Sequence, residues 1–490
     1  MDRTNFSEWY NDVIEKAELS DKRYPIKGMN VWKPYGWKAM RQIDDLIRDE
    51  MERTDHGEVH FPLLIPKTEF AKEGDHIKGF DAEVYWVTKG GLNELDVPLL
   101  LRPTSETAMY PMFNLWIRSH SDLPLKIFQI VNVFRYETKM TKSFIRVREI
   151  HFFESHTAHV DLEDAEKQIA LNLEILDRFA KKLGIPYLVL QRPEWDKFAG
   201  AYYTLGIDCL MPDGKTLQLG SIHQYRTNFS VPYEIKYEDE NGEHQYVHQT
   251  TFGMAERLLG AVIGVHGDDK GIILPPAIAP YQAVIVPILV KGKKDMVIEE
   301  SERLITELRN MGFRVHLDAR DMRPGAKYYD WELKGVPMRI ELGPRDIADE
   351  KVVVVRRDTG EKAFVPRTEL RDHIDTLLAA MEEDLWNTAE ERLHANIEEI
   401  RTIDEGREKT KILKMHWCGE EDCAREVETV LELTILGHPP EGAGESPGGP
   451  DMGEGTGGSD TEEDAEEKPV GDCIHCGRPT PTVIYASKTY

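Results

Sequence analysis

From Tyr281 onward the sequence changes rhythm, and this change constrains the fold more than any single motif. A strand-like run, AVIVPILV, gives way to a helical stretch over residues 296–311, a strand (FRVHLD), a second helix and two further strands (MRIEL and KVVVVRR). Such alternation predicts a separate α/β unit of about one hundred residues. Pro275, Pro276 and Pro280 fit a boundary just ahead of it. Upstream, the pattern is that of a sheet with flanking helices. Trp37, Met40, Ile43, Ile47 and Met51 recur at helical spacing, ahead of a β-like run over 60–66. Leu162–Leu183 reads as a second amphipathic helix, with Ile169, Leu176 and Phe179 on one stripe. Short β-rich runs at 127–134, 215–219 and 246–250 predict an antiparallel sheet. The last unit, from about Asp384 to Tyr490, reads as helical and then irregular. The expected fold class is mixed α/β (α+β), in the roughly three domains that suit 490 residues.

Between residues 441 and 470 the composition breaks sharply, with eight glycines, ten acidic residues and no aromatic. Such a stretch cannot bury enough apolar surface to fold, so a disordered acidic insertion is expected. Over the whole chain, 40% apolar and 9% aromatic residues are enough to build cores. No apolar run approaches the ~20 residues of a membrane span, and the polar start MDRTNFSEWYNDVIEK has no signal-peptide stretch. A cytoplasmic location with no membrane partner is expected. The balance of 61 basic against 88 acidic residues, a net of −27, repels nucleic acid non-specifically. Any RNA partner then needs a local basic footprint or a shape match.

The chemistry must therefore come from local clusters. There is no GxxxxGK[ST] loop and no GxGxxG after a strand, which excludes the P-loop and the dinucleotide fingerprint. Arginines and acids gather instead in residues 133–159, VFRYETKMTKSFIRVREIHFFESHTAH. Arg135 and Glu137 come first, then a basic loop, then Arg146, Arg148, Glu149 and Glu154. On a strand, Arg135 and Glu137 would share a face. A guanidinium there can clamp a phosphate or carboxylate while the carboxylate receives an amine. Standing alone, the pair would more simply be a surface ion pair worth little. Cys418-x₄-Cys423 and Cys473-x₂-Cys476 form two thiol pairs on either side of the acidic insertion. Five cysteines in a cytoplasmic chain of this length favour a tetrahedral structural Zn²⁺ at these four over disulfides. Four thiolates leave the metal no open position, so folding support and not catalysis is expected. The fifth, Cys209, reads as a small buried residue.

The FRxE–loop–Arg arrangement resembles motif 2 of class II aminoacyl-tRNA synthetases. Downstream, FGMAERLLGAVIGVHGDDKG (252–271), with Arg257 in the first turns of a helix, resembles motif 3. The helix from Trp37 followed by 60–66, with Pro62, resembles motif 1, which builds the dimer interface. Residues 139–143 spell KMTKS, one letter from the class I signature KMSKS. That signature needs an HIGH-type partner early in a Rossmann fold; none is present, and the class I reading is set aside. LRPTSETAMYPMF (101–113) is similar to the amino-acid-binding stretch of prolyl-tRNA synthetases, and WELKGVPMRIELGPRD (331–346) to their anticodon-binding domain. The chain is thus identified as a member of that family, and its cysteine unit and Tyr490 resemble the archaeal/eukaryotic-type branch. The stretch between motifs 2 and 3 is too short for the large editing domain of bacterial-type members, so editing in cis is not expected.

The resemblance implies three domains: a catalytic domain with an antiparallel sheet over 1–278, an α/β anticodon-binding domain over 279–383 and a zinc-binding domain over 384–490. It implies a homodimeric proline–tRNA ligase. ATP with Mg²⁺ would activate L-proline to prolyl-adenylate, and the proline would pass to the 3′ end of tRNA(Pro). Arg135 would hold the α-phosphate and the proline carboxylate, and Glu137 would receive the adenine amine. Arg257 would lie over the adenine and reach the γ-phosphate, while Gln218 and Ser221 complete the ATP contacts. Of the two loop arginines, Arg146 is assigned to ATP in preference to Arg148. Thr104 and Glu106 would bind the secondary ammonium of proline. Glu154, His156 and His223 would complete the pocket, with Phe152 as ring wall. Ala255 cannot make the hydroxyl contact that some relatives make to ATP. A small apolar pocket discriminates poorly against smaller guests, so cysteine or alanine misactivation is expected. Glu341 and Arg345 would read anticodon bases, although each alone reads nearly as well as part of a strand-end ion pair. The carboxylate of Tyr490 would lie near the catalytic domain. A threonyl-type enzyme would need zinc in its amino-acid pocket, and no Cys/His set lies near motif 2. The remaining alternative is a catalytically silent, synthetase-like tRNA-binding or regulatory protein, against which the presence of Arg135, Glu137 and Arg257 counts.

Overall fold

The computed structural model describes residues 2–72, 82–440 and 471–490, and the acidic insertion expected over 441–470 lies outside the described residues. The first unit is built on a seven-stranded sheet. Its strands are β1 (Gly57–Glu58), β2 (Leu125–Phe134), β3 (Glu149–His159), β4 (Leu188–Gln191), β5 (Tyr203–Leu210), β6 (Thr216–Arg226) and β7 (His248–Ala255). They lie in the order β1-β2-β3-β7-β6-β5-β4, antiparallel except for the β1–β2 pair.

Because side chains alternate across a strand, every second residue of this sheet faces a helical layer. Phe128, Phe153, Phe252, Ile222 and Leu205 belong to one core with α1 (Phe6–Lys16), α2 (Pro34–Arg53), α4 (Leu162–Leu183) and α5 (Arg257–His266). The alternate residues face the other way, toward a cleft behind α3 (Glu106–Trp116).

Helix α4 occupies the expected span because both ends carry stop signals. Asp161 accepts the Asp164 N–H at its start, and Gly184 takes the left-handed conformation at its end (φ 63°). In α2, Met40, Ile43, Ile47 and Met51 are buried, whereas Trp37 lies at the margin, edge-on to the His151 ring. Three expected strands differ. The 60–66 run is extended only at Leu64–Pro66; Pro62 has no N–H to give a ladder. The 246–250 run breaks at Val247 between a hairpin strand, His244–Tyr246, and β7. The 215–219 run continues to Arg226 as β6.

The alternating unit holds β8 (Ala283–Pro287), β9 (Val315–Leu317), β10 (Met338–Leu342), β11 (Lys351–Arg356) and β12 (Lys362–Pro366), in the order β9-β8-β10-β11-β12. It includes α6 (Lys294–Asn310) and α7 (Pro324–Leu333). Helix α8 (Leu370–Ala395) then runs through several cores. Leu370, Ile374 and Leu378 pack in the α/β core, Met381 and Leu385 on Ile273, Ala389 in the first core and Leu393 in a fourth cluster. The boundary expected between 383 and 384 therefore falls inside one continuous helix.

The last unit is not irregular. Strands β13 (Ile397–Glu399), β14 (Ile412–His416), β15 (Thr434–Gly437) and β16 (Val483–Ser487) form a sheet ordered β13-β14-β16-β15, packed with α9 (Glu421–Leu431). These strands have three to five residues, and β15 finds β16 only across the acidic insertion. Strands so short carry little periodicity. Among the described residues no helix is long and apolar enough to cross a membrane.

Candidate active site

Register across the sheet assembles the site. One row of directly opposed residues reads Ile127–His156–Thr251–His223–Thr204. The next row on the same face reads Gln129–Glu154–Gly253–Ser221–Gly206. The two glycines in the second row make room. A Cβ at Gly253 would meet Phe152 Cζ at 2.9 Å, and one at Gly206 would collide with the Arg192 guanidinium. Over this surface opens a cleft of about 560 Å³ lined by Thr104, Glu106, Arg135, Glu137, Arg146, Phe152, Gln218, Ser221, His223 and Arg257, among others. Ten of the residues named from sequence thus meet in one cavity.

Glu154 and His156 do not line it; they stand one layer behind, both fully buried. The Glu154 carboxylate accepts from Ser105 Oγ, Ser105 N (3.1 Å) and Gln129 Nε2 (2.9 Å), and His156 Nε2 lies 3.2 Å away. Burial alone would raise Glu154, but His156, Ser105 and Gln129 outweigh it and hold the carboxyl below its usual value. Against the same desolvation, the Glu154 and Glu106 carboxylates raise His156. In front, Thr104 Oγ1 donates to Glu106 Oε2 at 2.5 Å, and Tyr225 donates to Glu106 Oε1 at 2.8 Å.

Strand β2 ends at Phe134, so Arg135 and Glu137 do not share a strand face as expected. The Glu137 N–H bonds the Arg135 carbonyl (2.8 Å) in a tight turn, and both side chains still reach the cleft. Arg135 Nε donates to the Pro103 carbonyl at 3.1 Å. Arg146 donates to Glu137 Oε2 at 2.9 Å and to the Tyr490 main-chain oxygen at 3.0 Å. Arg148 instead donates to the Glu137 carbonyl and lies over the Tyr136 ring, outside the cleft. Arg257, at the first position of α5, donates to the Ile145 and Gln218 carbonyls at 2.8 and 3.1 Å. Burial, reinforced by the positive charges of Arg135 and Arg146, holds it down to about 10. Arg135, Arg146 and Arg257 thus stand close enough to repel one another, in a lining that also carries acidic side chains such as Glu106 and Glu137.

His223 shares 2.9 Å hydrogen bonds with Ser221 Oγ and Thr204 Oγ1. Burial, then the charges of His156 and Arg135, push it down to about 3. Burial likewise holds His56 and His266 down to about 4. All three sit below the free imidazole value of about 6.5, so they take up protons on unfolding as the pH falls below that value. Stability should drop between pH 6.5 and 5 by up to ~1.4 kcal/mol per pH unit per histidine. Glu256, pushed up to about 7 by burial, works in the opposite sense because its folded form holds the extra proton there. Burial also lowers His159, His248 and His316 and raises Asp196 and Asp208. The lowered histidines outnumber the raised carboxyls, so a net loss on acidification is expected, which urea unfolding at the two pH values would register; a gain would contradict these burials.

Sequence reasoning missed Glu83, Arg192, Phe198, Thr251 and Glu256, all of which line the cleft. Thr251 could have been found, being two residues from Gly253 on the same strand face. Arg192 and Phe198 leave no periodic signal, because they lie in the segment between β4 and β5.

Two groups lie elsewhere. The Sγ atoms of Cys418, Cys423, Cys473 and Cys476 all lie within 4.8 Å of one another, with 3.6 Å between Cys418 and Cys423 and 3.7 Å between Cys418 and Cys476. Four sulfurs at about 2.3 Å from a tetrahedral ion stand about 3.8 Å apart, so the donor set fits such a metal. In β10, Glu341 pairs with Arg339 (3.0 Å), while Arg345 is exposed on the short helix Pro344–Ala348. The two stand at the same strand end without pairing to each other.

Known proteins resemble the chain in sequence and in fold. The family model described as "tRNA synthetase class II core domain (G, H, P, S and T)" matches residues 85–266, "Anticodon binding domain" matches 282–377, and "Prolyl-tRNA synthetase, C-terminal" matches 402–490. The chain is 58% identical over 451 residues to a proline–tRNA ligase of Thermococcus kodakarensis, covering 91% of this chain and 94% of the relative. It is 46% identical over 484 residues to that of Methanothermobacter thermautotrophicus, covering 98% and 95%. A solved structure, Giardia lamblia prolyl-tRNA synthetase in complex with prolyl-adenylate, superimposes with a TM-score of 0.90 at 34% identity, covering 100% of this chain and 99% of that one. On its sequence, its fold and the cleft between its arginines, the chain belongs to the prolyl-tRNA synthetase family of class II aminoacyl-tRNA synthetases.

Proposed function

We propose that the cleft activates L-proline with ATP, releasing pyrophosphate, and that the proline is then passed to the 3′ end of tRNA(Pro). The observation that carries this reading is the convergence of Arg135 and Arg257, anchored on backbone carbonyls, across one cavity. Attack of a carboxylate on an α-phosphate needs positioning and charge stabilisation more than a nucleophilic side chain. Arg135 lies between the two substrates in this scheme, holding the α-phosphate and the proline carboxylate. Glu137 receives the adenine amine, Arg257 reaches the γ-phosphate, and Gln218 and Ser221 flank the nucleotide. Arg146 is the loop arginine on ATP, since Arg148 is turned away. Thr104 and Glu106 face the proline ammonium, His223 and Phe152 bound the ring, and Glu154 and His156 support them from behind.

Among the described residues, the four cysteines are the one set of three or more His, Cys, Asp or Glu gathered closely enough to hold a metal ion. Mg²⁺, which needs no such protein cage, would enter with the nucleotide and neutralise charge on its phosphates. The four thiolates would hold a structural Zn²⁺. Domains over 1–278, 279–383 and 384–490 divide these tasks, with no editing domain in cis, in the cytoplasm. Charging of tRNA(Pro) with labelled proline tests the whole reaction. The anticodon roles of Glu341 and Arg345 predict that replacing both by alanine raises KM for tRNA at least ~10-fold, roughly one lost base contact. ATP–pyrophosphate exchange should be unchanged in that variant. Unchanged prolylation would dismiss the anticodon assignment.

A homodimer is proposed from an apolar groove of about 600 Å³ lined by Phe61, Pro62, Leu64, Ile65, Met112 and Trp116, in the region that resembles motif 1. Leu63, Leu64, Leu115 and Trp116 are exposed around it, and apolar side chains exposed together mark interaction surfaces. Sedimentation at twice the 56.2 kDa chain mass is expected; sedimentation at the single mass throughout the micromolar range would contradict it.

A further inference from the structure

Residues 192–198 form one wall of the cleft; the catalytic sheet holds both ends, through Thr204 and Asp208, and the C-terminal unit supports the segment from the other side. Arg192 and Phe198 line the cavity, and the Phe198 ring centroid lies 4.5 Å from that of His223. The buried Arg192 guanidinium donates to Asp208 Oδ2 (2.7 Å) and to the Leu436 carbonyl on β15. Next to it, Gln191 exchanges backbone hydrogen bonds with His438, at 2.8 and 3.1 Å. Gly437 permits that approach, with φ at +128° and no room for a Cβ against the Gln191 carbonyl. In mid-segment, Trp195 packs edge-to-face on Trp417, with centroids 6.2 Å apart and planes at 88°. The Arg425 guanidinium, from α9, lies 4.9 Å from the Trp195 ring. Trp417 directly precedes Cys418, donates its indole N–H to the Glu420 carbonyl (2.9 Å), and shares an apolar cluster with Cys423 and Cys473. The ring that props the cleft wall is therefore one residue from the thiolate cluster.

We infer that Trp195 is a positioning residue for the amino-acid end of the cleft, and that the four-cysteine site acts on that end by fixing Trp417 beneath it. An ordered Trp417 sets Trp195, which sets the track from Arg192 to Phe198 and so the wall against His223. The nucleotide end stands on β6, β7 and the 135–146 loop, outside this segment. The inference rests on the proline-activating reading for the identity of the substrate only.

Pyrophosphate exchange with the full chain tests it. Trp195→Ala is expected to raise KM for proline about fivefold to tenfold, the worth of one aromatic pair, with kcat and KM for ATP within about twofold. Trp195→Phe should recover most of the loss. Trp195→Ala with Trp417→Ala should be no worse than either alone, because one contact is being removed twice. Hydrogen–deuterium exchange supplies a readout independent of activity: metal removal by a chelator should speed exchange over 192–202 and leave β2 and β3 protected. Unchanged exchange over 192–202, or a Trp195→Ala variant that loses kcat at constant KM, would overturn the inference. A wild-type chain that activates a different amino acid would fail the substrate reading alone, and its KM for that amino acid would still decide the coupling.

Discussion

Replacing Arg135 or Arg257 by alanine is expected to lower amino-acid-dependent ATP–pyrophosphate exchange by about a thousandfold, the upper range for removing one pre-oriented stabilising donor. Both guanidiniums are held before any ligand arrives, Arg135 on Pro103 and Arg257 on Ile145 and Gln218. Neither needs to be reorganised as negative charge builds on the phosphates. Burial lowers both, and Arg135 and Arg146 add repulsion at Arg257, so the cleft holds like charges together that an anionic substrate would relieve. Lysine at either position keeps the charge but loses the planar fork and its backbone anchors, so it should restore little activity. Unfolding by denaturant would separate a folding defect from a chemical one. Exchange within about threefold of wild type in Arg135→Ala, set against those magnitudes, would remove the motif 2 assignment.

The second large effect concerns the thiolate cluster. Metal analysis should find one zinc per chain, and Cys473→Ser should lose it. The C-terminal unit should then lose ~5 kcal/mol or more of stability, since metal binding free energy is folding free energy in such sites. Cys473 is buried within the apolar cluster that also holds Trp417 and α9 residues, so an unliganded thiol or serine there opens the core of the small sheet. Cys209→Ser is the control. It is buried under the main sheet, away from the cluster, and should leave zinc content unchanged. A chain purified with no zinc would overturn the site outright.

What could be read from the sequence, and what could not, follows the range of the interactions. Helix α4 was readable because its cap residues and its stripe are local. Arg135, Glu137 and Arg257 were readable because their motifs are contiguous, even though the strand-face argument for the first two fails where β2 ends. The row from His156 through Thr251 to His223 joins three strands separated by long stretches of chain, and only register brings them together. The layer between Thr104 and Glu154, and the retreat of Glu154 and His156 behind the cleft wall, depend on hydrogen bonds between distant segments. The C-terminal sheet stayed hidden because β15 and β16 are short and pair across the acidic insertion. Helix α8 shows the limit of composition as a guide to boundaries, since one uninterrupted stripe serves successive cores.

The most direct test of the central claim is amino-acid-dependent ATP–pyrophosphate exchange, run separately with each of the twenty amino acids and without tRNA. The cleft described here predicts strong exchange with proline and weak exchange with alanine or cysteine. Exchange with a different amino acid, or none with any amino acid even after tRNA is added, would contradict it.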